Sequence, residues 1–133
     1  MLATTVRQGV SALTTIVTVF YSIPAAPPAA TQAGIAKYYA QGVFQQVAAN
    51  RNIPMRRDVH GYASVLDCSR IGKIVRASIN GRAVERYQVL DCSSPRDLPR
   101  HRRDGLVIEV DYESARRHGF LRLGKARAVV YFP

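Results

Sequence analysis

The stretch Gly72-Lys73-Ile74-Val75-Arg76-Ala77-Ser78-Ile79-Asn80-Gly81-Arg82-Ala83-Val84-Glu85-Arg86-Tyr87-Gln88-Val89-Leu90-Asp91 decides the fold. At its centre, Asn80-Gly81 joins two runs rich in Val, Ile and Tyr. Asn-Gly is the preferred pair for a two-residue type I′ hairpin, because both residues accept positive φ. Lys73–Ile79 and Arg82–Asp91 are then the arms of a β-hairpin. A two-residue loop centred on positions 80 and 81 makes paired indices sum to 161. That register sets Arg76 opposite Glu85, a favourable cross-strand charge pair, and brings Arg70 near Asp91.

Extended backwards, the same register sets Cys68 opposite Ser93, one residue from Cys92. A bulge or a bend near Gly72 has to absorb the offset. These are the chain's two cysteines. Two readings follow: a Cys68–Cys92 disulfide in an oxidising compartment, or two buried thiols in a reducing one. The disulfide is favoured if the protein is exported, and contributes roughly 3 kcal/mol by loop closure. Two Cys without His at ligand spacing are too few for a metal site, and no cofactor is expected.

Outward from the hairpin, Ala36–Ala40 reads as a first strand. Gly42 opens a helix with Val43, Phe44, Val47 and Ala48 on one face, closed by Pro54. Met55–Gly61 reads as a loop and Tyr62–Leu66 as a strand. Residues 93–105 read as a polar loop. Leu106–Val110 is a strand, and Asp111 caps a helix over Tyr112–His118 that Gly119 stops. Ala126–Phe132 is the closing strand, with Ala128, Val130 and Phe132 alternating against Arg127, Val129 and Tyr131.

The 133 residues carry 19 Lys and Arg against 9 Asp and Glu, a net charge of +10. The length limits the chain to one domain. With 47% hydrophobic residues it is no disordered chain, and two cysteines are too few for a disulfide-dense mini-protein. The charge predicts an affinity for polyanions. It is unevenly placed: residues 1–33 hold Arg7 alone, while every acid lies in 34–133. Arg7, an apolar run over 10–21 and a Pro/Ala-rich tail to Ala33 have the parts of a secretory signal, with cleavage expected after Ala33. The other reading is a short N-terminal helix and a Pro-rich linker. The apolar run is shorter than the ~20 residues of a membrane span.

The order of segments resembles the rare lipoprotein A-like double-psi β-barrel family, whose fold barwin, expansin and cerato-platanin domains share. Gly34–Ala40 is similar to its "G-x-A-S-x-Y" strand and Gly72–Arg76 to "G-T-x-V-x-V". Val89-Leu90-Asp91 is similar to "V-x-I-N-D", Val107–Asp111 to "I-I-D-L-S", and the last strand to "G-x-A-x-V-x-V". The resemblance spans residues 34–133. It implies a mainly β, six-stranded double-psi β-barrel with one or two short helices.

The resemblance also implies a secreted domain acting on cell-wall polysaccharide, either by lytic cleavage of peptidoglycan or by non-catalytic binding and wall loosening. The family's acid/base position matches Asp91, and a second carboxylate matches Glu109, which either faces the groove or pairs with an Arg. One protonated carboxyl, its pKa raised by burial and by the other, can donate to a glycosidic oxygen. The family's His falls on Leu66, and its "R-G-P" is replaced by Cys92-Ser93-Ser94-Pro95, so the catalytic set departs from the pattern. Candidate contacts to substrate are Tyr39, by ring stacking, and Arg70, Arg96, Arg100, His101 and Arg102, toward an anionic wall polymer. A nucleic-acid partner is disfavoured, because no helix-turn-helix, zinc finger or RNP pattern is present. The expected state is a monomer.

Overall fold

The computed structural model describes residues 30–133. The N-terminal signal read over residues 1–33 therefore lies, up to residue 29, outside the described residues. Six strands close into one barrel in the order β1-β5-β2-β4-β3-β6. They are β1 (Ala30–Tyr38), β2 (Gly61–Val65), β3 (Ile74–Ile79), β4 (Glu85–Cys92), β5 (Leu106–Val110) and β6 (Ala126–Phe132). The pairs β1–β5 and β2–β4 run parallel, and the other four pairs run antiparallel. A closed barrel with two such parallel crossings is the double-psi architecture.

Inward alternation fills the barrel. Ala63 and Val65, Val75, Ala77 and Ile79, Tyr87 and Val89, Ile108 and Val110, and Ala128 and Val130 form one buried cluster with Phe120. β1 begins at Ala30, where it already pairs with Phe132, and it continues through Thr31, Gln32 and Ala33 against β6. The barrel thus starts four residues before the expected junction after Ala33.

Among the described residues, three α-helices decorate the barrel: α1 (Val43–Arg51), α2 (Leu98–Arg103) and α3 (Tyr112–Arg117). α1 and α3 match the expectation. Asp111 caps α3 by accepting from the Ser114 backbone N–H at 2.9 Å. α2 corrects the polar loop expected over 93–105. Its signal was present: Asp97 stands at the N-cap and Pro99 in the first turn, and Ser94 Oγ accepts from the Asp97 N–H and donates to Asp97 Oδ2, closing the turn that leads into the helix.

The hairpin turn forms as read. Asn80 and Gly81 both take positive φ, and the Arg82 N–H closes on the Ile79 carbonyl at 3.1 Å. The register does not. The observed pairs, from Ile74 with Gln88 to Ala77 with Glu85, sum to 162. Arg82–Val84 leave the ladder, and the second arm carries one residue more than the first. Arg76 therefore faces Arg86 rather than Glu85. Glu85 turns to α3, where Arg117 Nη2 lies 2.8 Å and His118 Nε2 3.0 Å from its Oε2. Burial would raise the Glu85 pKa, but hydrogen bonds from Arg117, His118 and Tyr87 outweigh it and hold the carboxyl down at about 2.

The first arm does not run back to Cys68. Gly72, at φ +85°, bends the chain, and a 3-10 turn at Cys68–Arg70 follows the end of β2. This corner brings Cys68 to a Cα separation of 4.9 Å from Cys92, and the two form a disulfide. Arg70 is correspondingly not beside Asp91. Its guanidinium lies over the Phe132 ring and 3.8 Å from Asp67.

Candidate functional site

Strict alternation along β4 buries Tyr87 and Val89 and would send Asp91 into the core as well. A bulge prevents this. β2 pairs Ala63 with Val89 and then Ser64 with Asp91, so Leu90 is the extra residue. Leu90 is buried under α1 with Phe44 and Ala48. Asp91 is thereby turned to the outer face, next to Ser64.

Ser64 also pairs with Glu109 on β5, and Glu109 with Lys37 on β1. Asp91, Ser64, Glu109 and Lys37 form one row across β4, β2, β5 and β1. The two carboxylates read from the sequence are thus brought together, two strand spacings or about 10 Å apart at the backbone. Ser64, which lies between them and is buried, was not among the expected residues. Alternation along β2 was the signal that could have found it. Leu66, by contrast, lies by Ala30 and Phe132, lining a small separate cavity.

The two acids differ in their surroundings. Asp91 is engaged on both oxygens. Arg51 Nη2 lies 2.6 Å from Oδ1, and the Tyr39 hydroxyl donates to Oδ2 at 3.0 Å. Arg51, at the last turn of α1, is the partner that the sequence reading gave to Arg70. Glu109 is half-buried and makes no hydrogen bond or ion pair among the described residues. Its carboxyl is pushed above the usual range, chiefly by burial. Lys37 and Arg100 oppose the shift, and Asp91 and Asp97 add to it.

Asp91 lies in an open groove of about 530 Å³. Tyr39, Arg51, Ile71, the Cys68–Cys92 disulfide and His101 line it. The Tyr39 ring is fixed by stacking on Phe44, 4.6 Å between centroids and 12° between planes. Burial raises the Tyr39 pKa far beyond the ordinary phenol value, so its hydroxyl stays a donor at any ordinary pH. His101, on α2, reaches the opposite wall, with its Nδ1 2.7 Å from Ser93 Oγ. The groove therefore offers a fixed ring, a carboxylate, an exposed guanidinium and an imidazole–hydroxyl pair.

Of the remaining expected contacts, Arg100 pairs with Asp97 at 3.3 Å beside the groove. Arg96 and Arg102 are exposed and do not line it. Tyr38 turns the other way, edge-on to Tyr112 and Phe120. No group of three or more His, Cys, Asp and Glu able to hold a metal ion occurs among the described residues.

No family model matches the sequence, and no curated protein matches it. Among solved structures, the fold is similar to the crystal structure of apo expansin from Clavibacter michiganensis, with a TM-score of 0.53 at 16% identity. The alignment covers 78% of this chain and 50% of that one, so this chain spans about half of its solved neighbour's length. The likeness establishes the double-psi β-barrel fold that the motif order implied.

Proposed function

We propose that the domain binds cell-wall polysaccharide in the Asp91 groove, as a non-hydrolytic glycan-binding or wall-loosening module. The observation that carries this is the state of Asp91. Both its oxygens are committed, to Arg51 and to Tyr39, in an open groove with one preorganised aromatic ring. Such a constellation presents hydrogen-bond partners to sugar hydroxyls and a flat apolar face to a pyranose. It does not present a free acid to a glycosidic oxygen. The Cys68–Cys92 disulfide and the expansin neighbour's fold support an extracellular setting, and the signal-like sequence from Arg7 through the apolar run over 10–21 fits export.

Retention of the full chain on insoluble peptidoglycan and on cellulose tests this reading. Tyr39→Ala is expected to weaken retention about tenfold, the loss of one stacked ring. Asp91→Asn is expected to weaken it less. No retention of the wild type, or equal retention of all three proteins, sinks the proposal.

Glu109 favours one further reading. A half-buried carboxyl with a raised pKa, two strands from Asp91, is the type of group a lytic transglycosylase uses as acid. Formation of 1,6-anhydro-muramyl ends from peptidoglycan, abolished by Glu109→Gln, is its signature. Their absence leaves binding alone.

A further inference from the structure

A second concave site opens around the corner from the groove. It is a cleft of about 440 Å³ lined by Arg56, Lys73, Arg76, Arg86, Tyr131 and Pro133, among others. Its floor is a second row of paired residues: Arg86 on β4, Arg76 on β3 and Tyr131 on β6. Arginines directly opposite on neighbouring strands repel one another. Asp58 answers this only at the rim, where it holds Arg56 at 2.6 Å and reaches Arg86 at 3.9 Å. All nine acids of the chain lie among the described residues, and none pairs with Lys73 or Arg76. The Arg76 guanidinium lies over the Tyr131 ring, 5.9 Å from its centroid. The cleft thus holds an excess of positive charge beside a half-buried aromatic ring, offset in part by Asp67 near Lys73 and Asp58 near Arg86.

The cleft and the groove are neighbours along the chain. Ile71 lines the groove and Gly72 lines the cleft. The two sites meet at this one bend of backbone, and the space beside Gly72 is open.

We infer that the cleft formed by Lys73, Arg76, Arg86 and Tyr131 is an extension of the binding site that takes carboxylate-bearing sugars of an acidic glycan. The inference rests on the reading of the Asp91 groove as a glycan site. Guanidinium forks match carboxylates, and the Tyr131 ring with Pro133 supplies the apolar face a sugar ring needs. Among the described residues Tyr131 is the sole aromatic one lining the cleft, whereas a single-stranded nucleic acid calls for several stacking rings. A ligand carboxylate between Arg76 and Arg86 replaces their repulsion with two attractions.

Titration calorimetry on the full chain with a cello-oligosaccharide and its C6-carboxylated counterpart tests this, since the two differ only at C6, a neutral hydroxymethyl group against a carboxylate. At low salt, the wild type is expected to bind the carboxylated chain about tenfold more tightly, a preference that shrinks as salt is added. In the Lys73→Gln/Arg76→Gln double variant the affinities for the two oligosaccharides converge, so the preference is lost. The variant's melting temperature stays equal or rises, because a repulsion has been removed, which separates lost binding from lost folding. Equal wild-type affinity for the two oligosaccharides overturns the inference and leaves the groove reading standing. So does a preference that survives in the double variant. Binding of neither oligosaccharide overturns both. Tighter binding of a short DNA duplex, abolished by the same two substitutions, assigns the cleft to nucleic acid and overturns the inference.

Discussion

Two rows of side chains cross the barrel's outer face, and both start on β4. One runs Asp91, Ser64, Glu109, Lys37; the other runs Arg86, Arg76, Tyr131. In the first, the like charges stand two strands apart with a serine between them, and cations flank them: Lys37 at the end of the row, Arg51 from α1 and Arg100 from α2. In the second, the like charges stand directly opposite on adjacent strands, and Asp58 compensates only one side. The first row is balanced in charge: Asp91 is bonded on both oxygens, and the unpaired Glu109 lies beside Lys37. The second is not, and its imbalance is open to solvent and to ligands. Net charge alone misses this difference, because what decides it is which carboxylate stands beside which cation.

The largest expected effect comes from cutting the link between the rows. The Cys68–Cys92 bridge pins the corner that separates groove from cleft. Cys92→Ser is expected to cost roughly 3 kcal/mol in urea denaturation, and to weaken glycan retention even where the fold survives. A loss below about 1 kcal/mol would mean that the corner is held by β2 and β4 without it.

A smaller effect tests the balance of the acidic row. The folded-state pKa of Glu109 is raised, so its ionisation opposes folding as pH rises above its unfolded value of about 4.5. Glu109→Gln is therefore expected to stabilise the protein at pH 7, with the gain vanishing below about pH 4. The full pH profile of melting temperature reads this directly. A loss of stability at pH 7 would show that Lys37 and Arg100 outweigh burial.

The smallest effect concerns the basic row. Arg76→Glu turns a repulsive pair with Arg86 into an attractive one, for a gain of about 0.5 kcal/mol after the loss of the cation–π contact with Tyr131. A decrease instead would show that the arginines are screened too well to interact.

Legibility in the sequence followed the range of the interactions. β5 and β6 were found residue for residue, because alternation and capping are local. The turn at Asn80-Gly81 was found for the same reason. Its register slipped by one because nothing local marks Arg82–Val84 as surplus. α2 was missed because four basic residues in a row read as solvated loop, although Asp97 at the N-cap and Pro99 in the first turn mark a helix start. Asp91 and Glu109 were identified through motif order, yet Arg51 was not found as the partner of Asp91. Those two are 40 positions apart, and only the bulge at Leu90 brings Asp91 to the surface that α1 overhangs.

The position of β6 has a consequence for how the chain acquires this shape. β6 lies between β3 and β1, so the barrel has two bare edges until Ala126–Phe132 exists to close them. The first strand waits for the last, some ninety residues later. Pairing at such separation is slow, because loop-closure entropy is lost before any contact rewards it. During synthesis, β1 and β3 therefore remain open to pairing with other chains, and the sparse acids and abundant arginines along the nascent segment supply the mutual repulsion that keeps such chains apart.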